Sequence, residues 1–185
     1  MIAELMPDGV TGSMTRVLII YDTRYGSTKT VAQWIAEGAA DIGHVDVVVQ
    51  NVAEADPRGF DLIVIGSPIY EEHPLPSVVN FLVANRDRLS DKDVALFVVC
   101  VDYGTAPKEE LVHRRADLQA HAAGRVRAIE VFRGYLDVDK LSDTDRKLIE
   151  DFAKLMGEPI TQVNKLDTQS ARNFGAQVAR FLERA

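Results

Sequence analysis

Five short apolar runs, none of them alternating with polar residues, are separated along this chain by stretches whose apolar residues recur every three or four positions. Runs of that kind suit strands buried on both faces, and strands interleaved with helices call for a parallel sheet covered by helices on each side. The runs are residues 16–21 (RVLIIY), 45–49, 62–65, 94–101 (VALFVVCV) and 128–132. Between the first two, Val31, Trp34, Ile35, Gly38, Ala39 and Ile42 form the buried stripe of a helix that Gly43 ends. Pro76 opens a second helix with Val78, Phe81, Leu82 and Leu89 inward, and Pro107 a third with Leu111, Val112 and Leu118 inward.

More follows the fifth run than one closing helix needs. Leu148, Ile149, Phe152, Leu155 and Met156 mark one amphipathic segment, and Phe174, Val178, Phe181 and Leu182 a second, with Gly157 and Pro159 between them. Ser142 and Thr168 are the expected caps, and Asp143 and Asp145 suit the positive end of the first dipole.

The chain has 185 residues, 46% of them apolar, enough for one domain over residues 16–185. Residues 1–15, with Gly9, Gly12 and Met14, read as an N-terminal extension or as a start codon set too early. A formal net charge of −7 argues against nucleic acid and against an anionic membrane surface, and it favours basic partner proteins. No apolar stretch reaches the roughly 18 to 20 residues of a membrane span, and the N-terminus lacks a secretory pattern. The single cysteine, Cys100, rules out an internal disulfide and points to a reducing compartment, the cytoplasm.

The chemistry concentrates where the first strand becomes the first helix, at Thr23-Arg24-Tyr25-Gly26-Ser27-Thr28. In a doubly wound sheet ligands bind at the carboxyl ends of the strands, where the strand order reverses, and this loop borders that point. Unpaired N–H groups at the helix start attract an anion, Gly26 lets the backbone approach closely, and the hydroxyls of Thr23, Ser27 and Thr28 suit phosphate oxygens. The competing reading is a plain helix cap after a tight turn. Neither G-x-G-x-x-G nor a Walker glycine before Lys-Ser/Thr is present, and Gly66-Ser67 stands where a response regulator would carry its phospho-accepting aspartate.

Thr23, Gly26 and Thr28 resemble the phosphate loop of the flavodoxin superfamily, and from Val17 onward the element order resembles it as well. That resemblance implies an α/β, flavodoxin-like, doubly wound five-stranded parallel sheet of order 2-1-3-4-5, with an extra helical segment after the fifth strand. It implies FMN as cofactor, with the ring held by Ser67, Pro68, Ile69 and Tyr70 after the third strand and by Val101, Asp102, Tyr103 and Gly104 after the fourth. Glu71, Glu72 and Asp102 would give the flavin a low midpoint potential, and His73 is a candidate proton donor near the ring. His113 and His121 lack partners at metal-ligand spacing. Arg114, Arg115, Arg125, Arg127 and Arg133 read as a solvated face or as a docking site for something acidic.

Arg24 and the segment 143–156 further resemble the menaquinone-dependent protoporphyrinogen oxidase branch, whose enzymes pass electrons from protoporphyrinogen IX to a quinone. The corresponding stretch here, 137–158, is acidic where that branch is basic. Three functions stay open: an FMN carrier between redox partner proteins, in which no side chain is catalytic; an FMN oxidoreductase acting on porphyrinogen and quinone; and a flavin-free interaction domain. Oligomeric state is open.

Overall fold

A computed structural model describes residues 14–101, 108–157, 159 and 161–181 of the chain. Its main sheet is built from β1 (Thr15–Tyr21), β2 (Val45–Asn51), β3 (Leu62–Tyr70), β4 (His73–Pro74), β5 (Asp93–Cys100) and β6 (Arg125–Arg133). The parallel strands run in the order β2-β1-β3-β5-β6, with β4 hairpinned onto the end of β3. This is the expected order 2-1-3-4-5 with one short antiparallel strand added. The helices are α1 (Ser27–Ala40), α2 (Pro76–Ala84), α3 (Arg86–Leu89), α4 (Lys108–His121), α5 (Asp143–Met156) and α6 (Thr168–Ala179). A two-stranded ribbon, β7 (Tyr135–Leu136) with β8 (Val163–Asn164), brackets α5.

Strand alternation sorts the core into two layers. Val17, Ile19, Leu62, Val64, Ala95, Phe97 and Val99 face α1 and α6, while Leu18, Ile20, Ile63, Ile65, Val94, Leu96 and Val98 pack with Val78, Phe81 and Leu82 of α2 and with Leu118 of α4. Both faces of β1, β3 and β5 are therefore dry, which is why their sequences lack polar alternation. Cys100 is a buried thiol whose Sγ lies 3.9 Å from the Phe132 carbonyl oxygen.

Several boundaries differ from the sequence expectation. The third strand does not stop at Ile65: Gly66, Ser67 and Pro68 pair with Phe97, Val98 and Val99 of β5, so a stretch with loop composition is held extended by its neighbour. The helix behind Pro76 breaks at Asn85, whose side chain donates to the Phe81 carbonyl. Ser142 caps α5 as expected, accepting from the Asp145 N–H, and Gly157 ends that helix with φ of 70°. For α6 the cap is Asp167, accepting from Ser170 N–H, and Thr168 is already inside the helix.

At the opposite end of the sheet from the β1–α1 loop, Asp93 ties β5 to β6. Its carboxylate, 4% exposed, accepts from Arg125 Nε at 2.6 Å and Arg127 Nε at 3.0 Å, so two of the arginines of the basic stretch serve the fold. Burial alone would raise the Asp93 pKa, but hydrogen bonds from Arg127 and Arg125, with their charges, outweigh it and hold the carboxyl below its ordinary value. A depressed folded-state pKa stabilises above the unfolded value of about 4 and loses that stabilisation as pH falls through the folded value. Asp93→Asn should therefore cost about 2 kcal/mol at neutral pH. In denaturant melts repeated down the pH scale, the gap to the unmodified protein should close in acid; a constant gap would mean that the charge is irrelevant.

Candidate functional site

The turn between β1 and α1 is shaped by its own side chains. Thr23 Oγ1 accepts from the Gly26 N–H at 2.9 Å, and Gly26 itself sits at φ of 97°, a left-handed conformation that other residues adopt at a cost. The Gly26 carbonyl accepts from the Thr30 N–H at 3.0 Å and the Thr30 hydroxyl at 3.2 Å, which starts the helix. By helix geometry the N–H groups of Ser27, Thr28 and Lys29 then have no carbonyl within α1. Thr28 is fully buried, and its hydroxyl has no hydrogen-bond partner among the described residues. A buried hydroxyl left empty beside a helix N-terminus costs free energy unless something outside the chain fills it. An anion with oxygens to share, such as a phosphate monoester, matches this hydroxyl and the helix-start N–H groups in donor chemistry.

Above the turn lies a cleft of about 250 Å³. Thr23, Tyr25, Ser27 and Thr28 line one side, and Pro68, Ile69, Tyr70, Glu71 and Glu72 another, with Val99 and Val101 between. Its remaining walls come from Gly134, Tyr135 and Leu136 and from Leu141, Asp145, Leu148 and Ile149. The apolar share of these walls suits a flat ring system, and the Thr28 end suits its charged tail.

Two of the expected residues have partners within the chain. Ser67 is fully buried, its hydroxyl donating to the Pro68 carbonyl and accepting from the Leu75 N–H, both at 2.9 Å, so it shapes the corner between β3 and α2. Ser27 Oγ accepts from the Tyr135 N–H at 3.2 Å and lies 3.3 Å from the Tyr135 carbonyl, fastening the turn to the segment after β6. Asp102, Tyr103 and Gly104 lie outside the described residues. His73 pairs with Asp117 of α4 at 3.0 Å and is not on the cleft wall.

Tyr70 and His73 face each other across a two-residue turn, Glu71-Glu72, with φ of 47° and 69°. Turns of that kind ordinarily use Asn-Gly, so two glutamates there accept backbone strain on the rim of the cleft. Burial pushes the Tyr70 hydroxyl pKa well up, with the Arg24 charge opposing.

Sequence reasoning missed the far side of the site. Tyr135 Oη donates to the Tyr25 carbonyl at 2.7 Å, and Tyr25 Oη donates to Asp145 at 2.5 Å, although more than a hundred residues separate each pair. Asp22 accepts from the Thr23 N–H at 2.7 Å and from Ser77 Oγ at 2.5 Å, anchoring the turn to α2. The helical period of α5, its Ser142 cap and its first-turn acids were legible in the sequence; its landing place was not.

Strand order, a cleft at the switch point and an anion-ready turn together define a doubly wound α/β protein with a ligand-sized cleft across its strand ends. A family model for the flavodoxin domain matches residues 18–161, and the chain belongs to that family. Among curated relatives it is 43% identical over 58 residues to a flavodoxin of Aquifex aeolicus, covering 30% of this chain and 31% of that one. It is 40% identical over 78 residues to the coenzyme F420H(2) oxidase of Methanothermobacter marburgensis, covering 38% of this chain and 19% of the oxidase. The matches thus span about a third or less of either relative.

Among solved structures, a flavodoxin from the domain Archaea superposes with a TM-score of 0.56 at 15% identity, over 91% of this chain and 99% of that one. The flavodiiron protein of Giardia intestinalis gives 0.56 at 16% identity, over 91% of this chain and 36% of its own. Two-electron reduced Megasphaera elsdenii flavodoxin gives 0.54 at 18%, over 89% and 98%. At these identities the likeness is one of fold. Among the described residues no helix is long and apolar enough to cross a membrane.

Proposed function

We propose that this protein binds one FMN in the cleft above the β1–α1 turn and carries electrons between redox partners. The observation that carries the reading is the buried Thr28 hydroxyl at the start of α1, without a partner among the described residues. Thr28, the N–H groups at the first turn of α1 and the left-handed Gly26 would hold the phosphate, while Tyr70, Ile69, Pro68 and Val101 offer the ring its apolar walls. Bound FMN supplies a ring that accepts and releases electrons, and the chain tunes how readily it does so. Glu71 and Glu72 put negative charge on the rim, which disfavours added negative charge on the ring. Basic redox proteins suit the acidic surface, and the lone thiol suits the cytoplasm.

The test is the visible spectrum of the purified protein, followed by titration of FMN into apoprotein. Stoichiometric FMN with a midpoint potential below that of free FMN is expected. A protein that stays colourless and refuses added FMN would sink the reading in favour of a flavin-free interaction domain.

A second reading, an oxidoreductase of protoporphyrinogen-oxidase type, rests on the extra helix α5 after β6. Turnover of protoporphyrinogen IX with a quinone separates the two; a flavin-loaded protein without turnover is a carrier.

A further inference from the structure

Arg24 looks, by its position in the anion-ready turn, like a phosphate ligand, yet its side chain is committed elsewhere. Nη1 lies 3.0 Å and 3.4 Å from the two Asp145 oxygens, and the guanidinium carbon sits 4.4 Å from the centroid of the Tyr70 ring. Asp145 is buried, and its Oδ2 also accepts from Tyr25 Oη at 2.5 Å. Tyr25 Oη in turn accepts from the Ser142 N–H at 3.1 Å, and Ser142 caps α5. A buried carboxylate stripped of its cation is costly, so Asp145 keeps Arg24 where it is. The hairpin that carries Tyr70 closes through two left-handed glutamates and gains an outside support from this contact.

We infer that Arg24 and Asp145 form a strut that positions Tyr70 and the β1–α1 turn for the ring, so that Arg24 is a positioning residue and does not read the phosphate. This rests on the cleft being the flavin site. One face of Tyr70 is covered by the guanidinium, and the strut ties three segments, the β1–α1 turn, the β3–β4 hairpin and the start of α5, into one wall.

The test titrates FMN and riboflavin separately into apoprotein of the unmodified chain, Arg24→Met, Asp145→Asn and the double variant. Each single change should weaken both flavins by about tenfold, the equivalent of one lost charge-assisted bond, leaving the preference for FMN over riboflavin unchanged. The double variant should bind no worse than the poorer single one, because both changes remove the same strut. Arg24→Lys, which keeps charge but not the stacked fork, should fail to restore affinity. Loss of FMN binding with riboflavin binding intact, rescue by Arg24→Lys, additive losses or no loss at all would each overturn the inference. Hydrogen exchange at the first turn of α5 in flavin-free protein should quicken in both single variants, and unchanged exchange would overturn the strut whatever the ligand. Should the unmodified chain bind neither flavin, the cleft assignment fails, and exchange still judges the strut.

Discussion

Gly38→Ala is expected to destabilise the protein by about 3 kcal/mol, near the upper end for an overpacked contact. A Cβ built on Gly38 would lie 2.0 Å from the Arg172 carbonyl oxygen and 2.6 Å from the Arg172 carbonyl carbon and Cα. The reciprocal contact is as tight, since a Cβ on Gly175 would lie 2.0 Å from the Ile35 carbonyl oxygen. Helices α1 and α6 therefore meet backbone to backbone, and neither obstacle is a side chain that could rotate away. Alanine's better helix propensity returns only about 0.5 to 1 kcal/mol, too little to offset the clash. In a domain of this size the loss corresponds to a fall in Tm of roughly 6 to 12 °C. Gly43→Ala is the control: a Cβ there meets nothing within 4 Å, though φ of 79° strains it, so its cost should stay near 1 kcal/mol. A Gly38→Ala protein that melts with the unmodified one would mean that α1 and α6 are free to slide apart.

Thr28→Val should move stability and ligand affinity in opposite directions. In the flavin-free protein the hydroxyl is buried without a partner, so replacing it by a methyl of the same shape should leave stability unchanged or raise it by about 0.5 kcal/mol. FMN affinity should fall by about 1 to 3 kcal/mol, roughly 5- to 150-fold, because the bond to a phosphate oxygen is lost. Thr28→Ser, which keeps the hydroxyl, should retain most of the binding. Flavin fluorescence titrations and denaturant melts of the same preparations read both quantities. Equal loss in each would assign Thr28 a packing role, and unchanged affinity would put the phosphate elsewhere.

Local pattern made most of the fold legible. The two-sided burial of β1, β3 and β5 left their sequences apolar throughout, and the three-and-four spacing of Val31, Ile35, Gly38 and Ala39 marked α1, so strands, helices and the turn between them were readable in order. The shape of the β1–α1 turn was readable for the same reason, since Thr23 and Gly26 lie three residues apart and meet directly, Thr23 Oγ1 accepting from the Gly26 N–H.

What sequence could not decide depends on partners distant in the chain. Gly66-Ser67-Pro68 has the composition of a turn, but pairing with β5 holds it as strand, and the turn moves on to Glu71-Glu72. Asp145 read correctly as an acid in the first turn of α5, yet that described only its effect on its own helix. Its meeting with Arg24 and Tyr25, like the meeting of Tyr135 with Ser27, follows from where the β7–β8 ribbon lays the segment down after β6. By itself, the sequence determined the strands, the helices and the anion-ready turn, because periodicity and backbone chemistry act over a few residues. Tertiary structure alone decided which distant side chains brace that turn, because packing brings together residues whose separation along the chain carries no signal.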